Sequence, residues 1–400
     1  MTTTIDNEQK TLNVPNIRFK EFEEEWEECR LGEIGKLYKG VGISKDQLSD
    51  NGEPCILYGE LYTKYKSEVI NEVISKTNIS DNKLVRSNAN DVIIPCSGET
   101  AEDIATARCV LNDNVLLGGD LNIIRLHKDN GLFMSYQLNG KRKYDIARVS
   151  QGVSVVHLYG EHLKGIKTYC PNLYEQNKIA TFLSLLDERI ATQNKIIEKL
   201  ETLIKGISNR LLYADNSMSI RIEEMLIERS ERTKKNNQYE ILSSTVNGIF
   251  SQRDYFSKDI ASDNNVGYKI IHLHDIVLSP QNLWMGNINF NDKFDIGIVS
   301  PSYKVFSIAD GFDKKYVAAL LKTHHALYNY MLVSEQGAST VRRNLNYEAF
   351  EQLVFKIPSL NKQQEIGHVI SLLKSQLENA NLLIKTYNSQ KQYLLRQMFI

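Results

Sequence analysis

Apolar positions step by four and three along residues 179–211, at Ile179, Leu183, Leu186, Ile190, Gln193, Ile197, Leu200, Ile204, Ile207 and Leu211, with Gln193 the one polar member. The stepping returns 187 positions on, at Ile366, Ile370, Leu373, Leu377, Ala380, Ile384, Tyr387, Lys391, Leu394 and Met398, with Lys391 the one charged member. A sustained 3.5-residue period with charges between the apolar steps predicts coiled-coil helices. About 38 residues each would give helices of roughly 57 Å. The two stretches also align at a constant offset without a gap, "PNLYEQNKIATFLSLLDERI" from Pro171 against "PSLNKQQEIGHVISLLKSQL" from Pro358, with recurring identities such as Leu173/Leu360, Gln176/Gln363 and Ile179/Ile366. Each Pro follows an apolar, strand-like run, where it blocks helix behind it and opens helix ahead. The chain therefore reads as a duplication. Each helix has an open seam, and its economical partner is the other copy, packed antiparallel.

The stretches before the helices match more faintly. "NDVIIPCSGETAEDI" (Asn90–Ile104) and "HDIVLSPQNLWMGNI" (His274–Ile288) both read polar, Asp, strand, turn. A Gln-Gly pair, Gln151–Gly152 and Gln336–Gly337, precedes each repeated Pro by about twenty positions. "CRLGEIGKLYKG" and "IRIEEMLIERSERT" each place a short helix early in their half. Short β runs such as "YKIIHL" alternate with helices such as "DKKYVAALLKTHHALYNYML", an α+β pattern. The expected organisation is a disordered arm (1–13), a globule (14–172), a central helix (173–213), a second globule (214–357) and a C-terminal helix (358–400). Two similar globules alternating with two long antiparallel coiled-coil helices give pseudo-twofold symmetry. Twofold proteins meet duplex DNA at half-sites one helical turn apart, and unequal globules would read unequal half-sites.

Composition changes this picture little. The 400 residues are 42% hydrophobic and 24% charged, ordinary for globular domains. The five cysteines, Cys29, Cys55, Cys96, Cys109 and Cys170, are scattered and never spaced C-x-x-C. They predict reduced thiols and a cytoplasmic location, with neither a disulfide frame nor a zinc site. The formal net charge is −1, so contact with nucleic acid must rest on local patches. One such patch is Lys141, Arg142, Lys143, Arg148, Lys164 and Lys167, set against Asp145 and Glu161 around the first Gln-Gly turn. Arg342 and Arg343 follow the second turn.

In this order, the motifs resemble the specificity subunits of type I restriction–modification enzymes over nearly the whole chain. "VPNIRFKEFEEEWEECRLGEI" (Val14–Ile34) is similar to that family's opening motif. "YGELYTKY", "GETAEDIATA" and "GGDLNIIRL" look like one class of its target recognition domain. "SSTVNGIFSQRDYFSKDIASDNNVGYKIIHLHDIVLSP", "GIVSPSYKVF" and "QGASTVRRNL" look like another. The Pro-x-Leu-x-x-Gln-x-x-Ile opening of each long helix resembles the family's spacer. The resemblance implies a non-catalytic subunit that binds a split, asymmetric duplex target. It implies docking to two methyltransferase subunits and, through them, to restriction subunits. S-adenosylmethionine, ATP and Mg would sit on those partners, and none on this chain. The acidic "EFEEEWEE" (Glu21–Glu28) is a candidate protein-facing surface. The helices would act as a ruler between the half-sites.

A search for catalytic traces agrees with that implication. There is no Asn/Asp-Pro-Pro-aromatic motif, no G-x-x-x-x-G-K-S/T, no H-E-x-x-H and no G-x-S-x-G. His272, His274, His324 and His325 lack Cys or Asp partners in metal-ligand spacing. "DERIATQNK" lies on the heptad helix and reads as solvated charge. The candidate DNA contacts of the first globule are Ser97, Glu99, Thr100, Arg108, Lys141, Arg142, Arg148, Gln151 and Ser154. Those of the second are Asn247, Gln252, Arg253, Gln281, Asn282, Trp284, Gln336, Ser339, Thr340, Arg342, Arg343 and Asn344. Basic residues supply phosphate contacts and Arg, Asn and Gln read base edges; Trp284 reads equally as core. The alternative is a coiled-coil scaffold whose globules bind proteins.

Overall fold

A computed structural model describes residues 12–80, 83–152, 154–211, 217–255, 264–336 and 343–400. The chain divides into two compact units. The first holds the chain up to Asn194 together with Leu382–Ile400, and the second holds Lys195–Asn381. Both long helices form, Leu173–Leu211 with 39 residues and Leu360–Gln397 with 38. Each helix contributes one half to each unit.

In the first unit Ile179, Leu183, Leu186 and Ile190, from the start of the first helix, pack with Tyr387, Leu394, Leu395 and Met398 from the end of the second. In the second unit Glu201, Ile204 and Lys205 share a pocket with Lys374 and Leu377, while Ile207 packs on a core containing Ile366 and Ile370. Start meets end in each unit, so the pairing is antiparallel, as the seam requires. Trp26, from the opening motif, seals the first of these cores against Phe133 and Phe399, at ring centroid distances of 5.7 and 6.3 Å.

The duplication extends to single hydrogen bonds. Gln176 Nε2 donates to Pro171 O (2.9 Å) while its Oε1 accepts from Asn130 N (2.9 Å). Gln363, 187 positions on, donates to Pro358 O (2.9 Å) and accepts from Asp313 N (3.0 Å). Asn130 and Asp313 then cap the helices Gly131–Asn139 and Lys314–Leu320. A side-chain acceptor at an N-cap satisfies a backbone N–H that has no partner within the helix.

The Asp that opens each matched strand does likewise. Asp91 Oδ2 accepts from Asn88 N, and Asp275 Oδ2 from His272 N, both at 2.8 Å. The residues just before them, Asn90 and His274, both turn through the left-handed region, at φ +77° and +76°. The strands that follow, Asp91–Pro95 and Ile276–Leu278, are buried on both faces. Val92 and Ile94 enter one core and Ile93 another; Ile276 and Leu278 enter one core and Val277 another. Period-two alternation is what divides each strand between its two cores.

Around these strands the sheets differ. Among the described residues the first unit has two five-stranded sheets, one of them ordered Gly35–Lys39, Leu121–Leu126, Asp91–Pro95, Arg108–Val110, Val69–Ile70. The second unit has a four-stranded sheet ordered Leu226–Glu228, Lys304–Ile308, Ile276–Leu278, Ile288–Phe290. One expectation is overturned. Asp187, read as solvated charge, is buried, and Lys391 Nζ lies 2.6 Å from its Oδ1.

Candidate functional site

In the first unit the strand Asp91–Pro95 leads directly into the candidate segment. Ser97–Gly98 pairs antiparallel with Val156–His157, and Ser97 Oγ lies 3.3 Å from His157 Nδ1. His157 also exchanges backbone hydrogen bonds with Gln151, at 2.9 and 2.7 Å. The Gln-Gly turn is thereby folded onto the 97–100 segment. Gly152 makes this possible at φ +123°, a conformation that side chains with a Cβ rarely take.

Between these segments lies an open cleft of about 710 Å³. Ser97, Glu99, Arg108 and Ser154 line it, joined by Tyr58, Tyr62 and Asp103. Arg108 Nε donates to Tyr65 O (3.2 Å) and its Nη1 to Ala107 O (2.9 Å), which fixes the guanidinium at the wall. Burial pulls the Arg108 guanidinium below its ordinary value, and the carboxylates of Glu68 and Asp187 oppose that pull. Tyr62 Oη donates to Ser97 O (2.9 Å), and burial pushes its phenol up.

The remaining first-unit candidates sit elsewhere. Thr100 caps the short helix Ala101–Ile104, accepting from Asp103 N at 3.1 Å. Arg142 is engaged within its own unit: it pairs with Asp145 (3.0 Å), donates to Ile400 O and lies over the Tyr169 ring at 5.1 Å. Lys141 and Arg148 are exposed. Two further members of the basic patch are paired, Lys164 with Glu161 and Lys167 with Glu28, both at 2.7 Å.

The second unit repeats the juxtaposition with other side chains. The strand Ile276–Leu278 leads into Gln281, Asn282 and the 3₁₀ turn Leu283–Met285 that carries Trp284. The hairpin Ser334–Gln336/Arg343–Leu345 comes back to this segment. Arg343 N donates to Gln281 O (3.2 Å), and its guanidinium lies 4.5 Å from the centroid of the Trp284 ring. Stacking on an aromatic face orients the planar donor fork of an arginine while leaving its edges open. Trp284 is half-buried, which suits a contact shelf as well as packing.

Asn344 is exposed opposite Glu335 on the hairpin. Asn247 is exposed at the tip of the Leu242–Thr245/Gly248–Ser251 hairpin, and Arg253 is exposed on the helical turn beyond it. Gln252 is half-buried, with its Oε1 unpartnered among the described residues. Gln336 ends a hairpin strand, whereas Ser339, Thr340 and Arg342 lie outside the described residues.

Lys322 escaped the sequence reading. Its Nζ donates to Gly286 O (2.7 Å) and Val246 O (3.2 Å), tying the Trp284 turn to the Asn247 turn. Burial, with Lys374 adding repulsion, pulls its ammonium down to about 8. Nothing in the local sequence marks it. Tyr58 and Tyr62, by contrast, stand inside the quoted "YGELYTKY" and were legible as aromatics beside a Gly.

Comparison with known proteins finds likenesses in sequence and in fold. The pattern described as the type I restriction modification DNA specificity domain matches residues 23–202. The specificity subunit of type I restriction enzyme MjaVIII from Methanocaldococcus jannaschii is 29% identical over 192 residues, 47% of this chain and 42% of that one. The putative type I specificity subunit S.HindORF215P from Haemophilus influenzae is 25% identical over 186 residues, 46% and 45% of the two chains. The match thus spans less than half the length of these curated relatives. Among solved structures, the S subunit of the type I restriction–modification system of M. genitalium superposes with a TM-score of 0.62 at 15% identity. That likeness, covering 97% of this chain and 99% of the other, concerns the fold. The specificity-domain pattern is thus matched over residues 23–202, and the fold along nearly the whole chain is similar to that of a type I S subunit.

Proposed function

We propose that this chain is the DNA-recognition subunit of a type I restriction–modification complex, binding a split, asymmetric duplex target with one unit per half-site. One observation carries the reading. In each unit the segment after the matched strand meets a later strand, Val156–His157 beside Gln151 in one and the Ser334–Gln336/Arg343–Leu345 hairpin in the other, but the side chains presented there differ: Tyr58, Tyr62 and Arg108 in one, Trp284 and Arg343 in the other. A common frame holding different donors and aromatic faces suits two half-sites of different sequence. Arginine forks read guanine edges, and exposed lysines such as Lys141 neutralise phosphates.

The chain would direct adenine methylation and cleavage carried out by partners. It would itself hold no S-adenosylmethionine, ATP or Mg. Two methyltransferase subunits would dock along the long helices. Phe182, Leu185, Ile196 and Leu203 on the first helix, and Leu372, Leu382 and Leu383 on the second, are exposed apolar side chains that support such docking.

The test is salt-dependent retention of the co-expressed complex on duplex DNA. Retention that falls steeply with salt and prefers one bipartite sequence is expected. A complex that assembles but ignores DNA at low salt would return the chain to a protein scaffold.

A further inference from the structure

We infer that Cys29 and Cys170 form a redox-modification site, a dithiol that a peroxide converts into an intramolecular disulfide. The strands Glu27–Arg30 and Lys167–Cys170 run antiparallel, with Cys29 opposite Thr168 and Glu27 opposite Cys170. Cys29 and Cys170 therefore sit diagonally on one face of the ladder, two positions apart. Their sulfurs are 3.5 Å apart, although 141 positions separate them in sequence. A disulfide closes to about 2.05 Å, so the remaining movement is within reach of side-chain rotation.

Access distinguishes this pair from the other thiols. Both cysteines are half-buried and line an open cleft of about 670 Å³. Cys55, Cys96 and Cys109 are buried, and burial pushes their thiols up to about 11, 11 and 12. The pair is also polarised. The hydrogen bond with Cys170, and a second with Thr168, bring the Cys29 thiol below its ordinary value, while that of Cys170 is raised. Thr168 Oγ1 lies 3.4 Å from Cys29 Sγ, where it can donate to the thiolate, so Cys29 is the nucleophile and Cys170 the resolving thiol.

The chemistry balances with the peroxide as the one co-reactant. The Cys29 thiolate attacks one peroxide oxygen, the O–O bond breaks, and hydroxide leaves, taking the thiol proton as water. The Cys170 sulfur then attacks the Cys29 sulfenic acid. The S–S bond forms, and the hydroxyl departs with the Cys170 proton as a second water. Two thiols are oxidised and one peroxide is reduced. The rim carries Glu24, Glu25, Glu27, Glu28 and Glu33, which favours neutral hydrogen peroxide over an anionic thiol such as glutathione. Once formed, the bond would fasten the strand that opens the first globule to the residue before Pro171, where the long helix begins.

The experiment exposes the full chain to hydrogen peroxide, then denatures it, alkylates the remaining thiols and reads peptides by mass spectrometry. The expected result is joint loss of two of the five thiols. A single Cys29–Cys170 cross-linked peptide pair should carry that loss, and dithiothreitol should reverse it. Cys170→Ser should stop at a sulfenic acid on Cys29 that dimedone traps. Independently of any variant, Cys29 in the untreated chain should alkylate about tenfold faster than the three buried thiols. Over-oxidation of Cys29 with Cys170 left free, or equal alkylation rates, would overturn the inference.

Discussion

The two units share a helix frame and stabilise it by opposite means. In the first, Lys391 sits buried in the seam, paired with Glu68 and with Asp187. Tyr136 Oη donates to Asp187 at 2.8 Å, and Ser67 Oγ does so at 3.0 Å. At the matching register of the second unit, 187 positions earlier, stands Ile204, and the position matching Asp187 is Lys374. The same contrast appears one turn into each helix. Glu175 is fully buried and held by Arg18 through two bonds of 2.7 and 2.8 Å, with Trp26 Nε1 at 3.3 Å. Its counterpart, Lys362, is exposed and pairs with Glu365. The opening motif thus clamps the first unit through polar contacts that the second unit lacks at those positions. The two copies share the frame, and buried ion pairs cluster at these positions in the first of them.

The largest expected effect breaks that contrast at the seam. Lys391→Met leaves Glu68 and Asp187 buried without their cation, and should destabilise the first unit by about 3–5 kcal/mol. Ile204→Val, at the matching step of the second unit, should cost about 0.5–1.5 kcal/mol. Urea unfolding of the two variants, followed by amide exchange in each unit, checks the ratio. Equal costs would mean that the ion cluster is incidental to the seam.

Next comes the clamp. Arg18→Ala removes a charge-assisted fork from a buried carboxylate and should cost about 2–3 kcal/mol. Lys362→Ala should stay within about 0.5 kcal/mol, since surface pairs contribute little. Thermal melts would register both. The two glutamines sharpen the comparison from the other side, because there the units agree. Gln176→Ala and Gln363→Ala each strip a strand–helix junction of the same two hydrogen bonds, about 1–2 kcal/mol in each case, and Gln176→Ala, which also removes the bond to the buried Asp129 Oδ1 (2.7 Å), should cost about 1 kcal/mol more. A difference beyond that range would show that the junctions are not equivalent.

The last effect is read as a slope with pH and belongs to the second unit. Lys322 is held down to about 8 in the fold against an ordinary 10.5. Between these values the unfolded chain keeps a proton that the folded chain has lost, so stability rises as pH rises through that window. The slope should reach at most about 1.4 kcal/mol per pH unit. Lys322→Met should flatten it, and melts from pH 7 to 10 would detect the change.

What was legible in the sequence follows from the range of the interactions. The seam and the matched glutamines are local or periodic, and both appear where the pattern placed them. The strand "NDVIIP" could be read because Asp91 and the apolar run after it form a local turn and ladder. The meeting of the Gln151–Gly152 turn with the 97–100 segment joins residues more than fifty positions apart, and nothing in the local sequence marks it. The long-range pairings were hidden. Lys391 reaches Glu68 across 323 positions, and no local signal distinguishes its partner from any other surface carboxylate. The ties of Arg142 to Ile400 and Tyr169 were hidden in the same way, because they exist only after folding. Lys322 was invisible for the same reason: its two acceptors are backbone carbonyls on separate turns.

The central claim, that each unit reads its own half of a split target, is tested most directly by the methylated motif. The complex would be expressed in a host lacking other adenine methylation, as wild type, Arg108→Ala and Arg343→Ala, and the modified sites called from the genome. The account predicts a bipartite motif in the wild type. Arg108→Ala should relax bases in one half and Arg343→Ala bases in the other, each loss being about 1–3 kcal/mol of discrimination at the affected position. A single contiguous motif, or two variants that relax the same half, would contradict it.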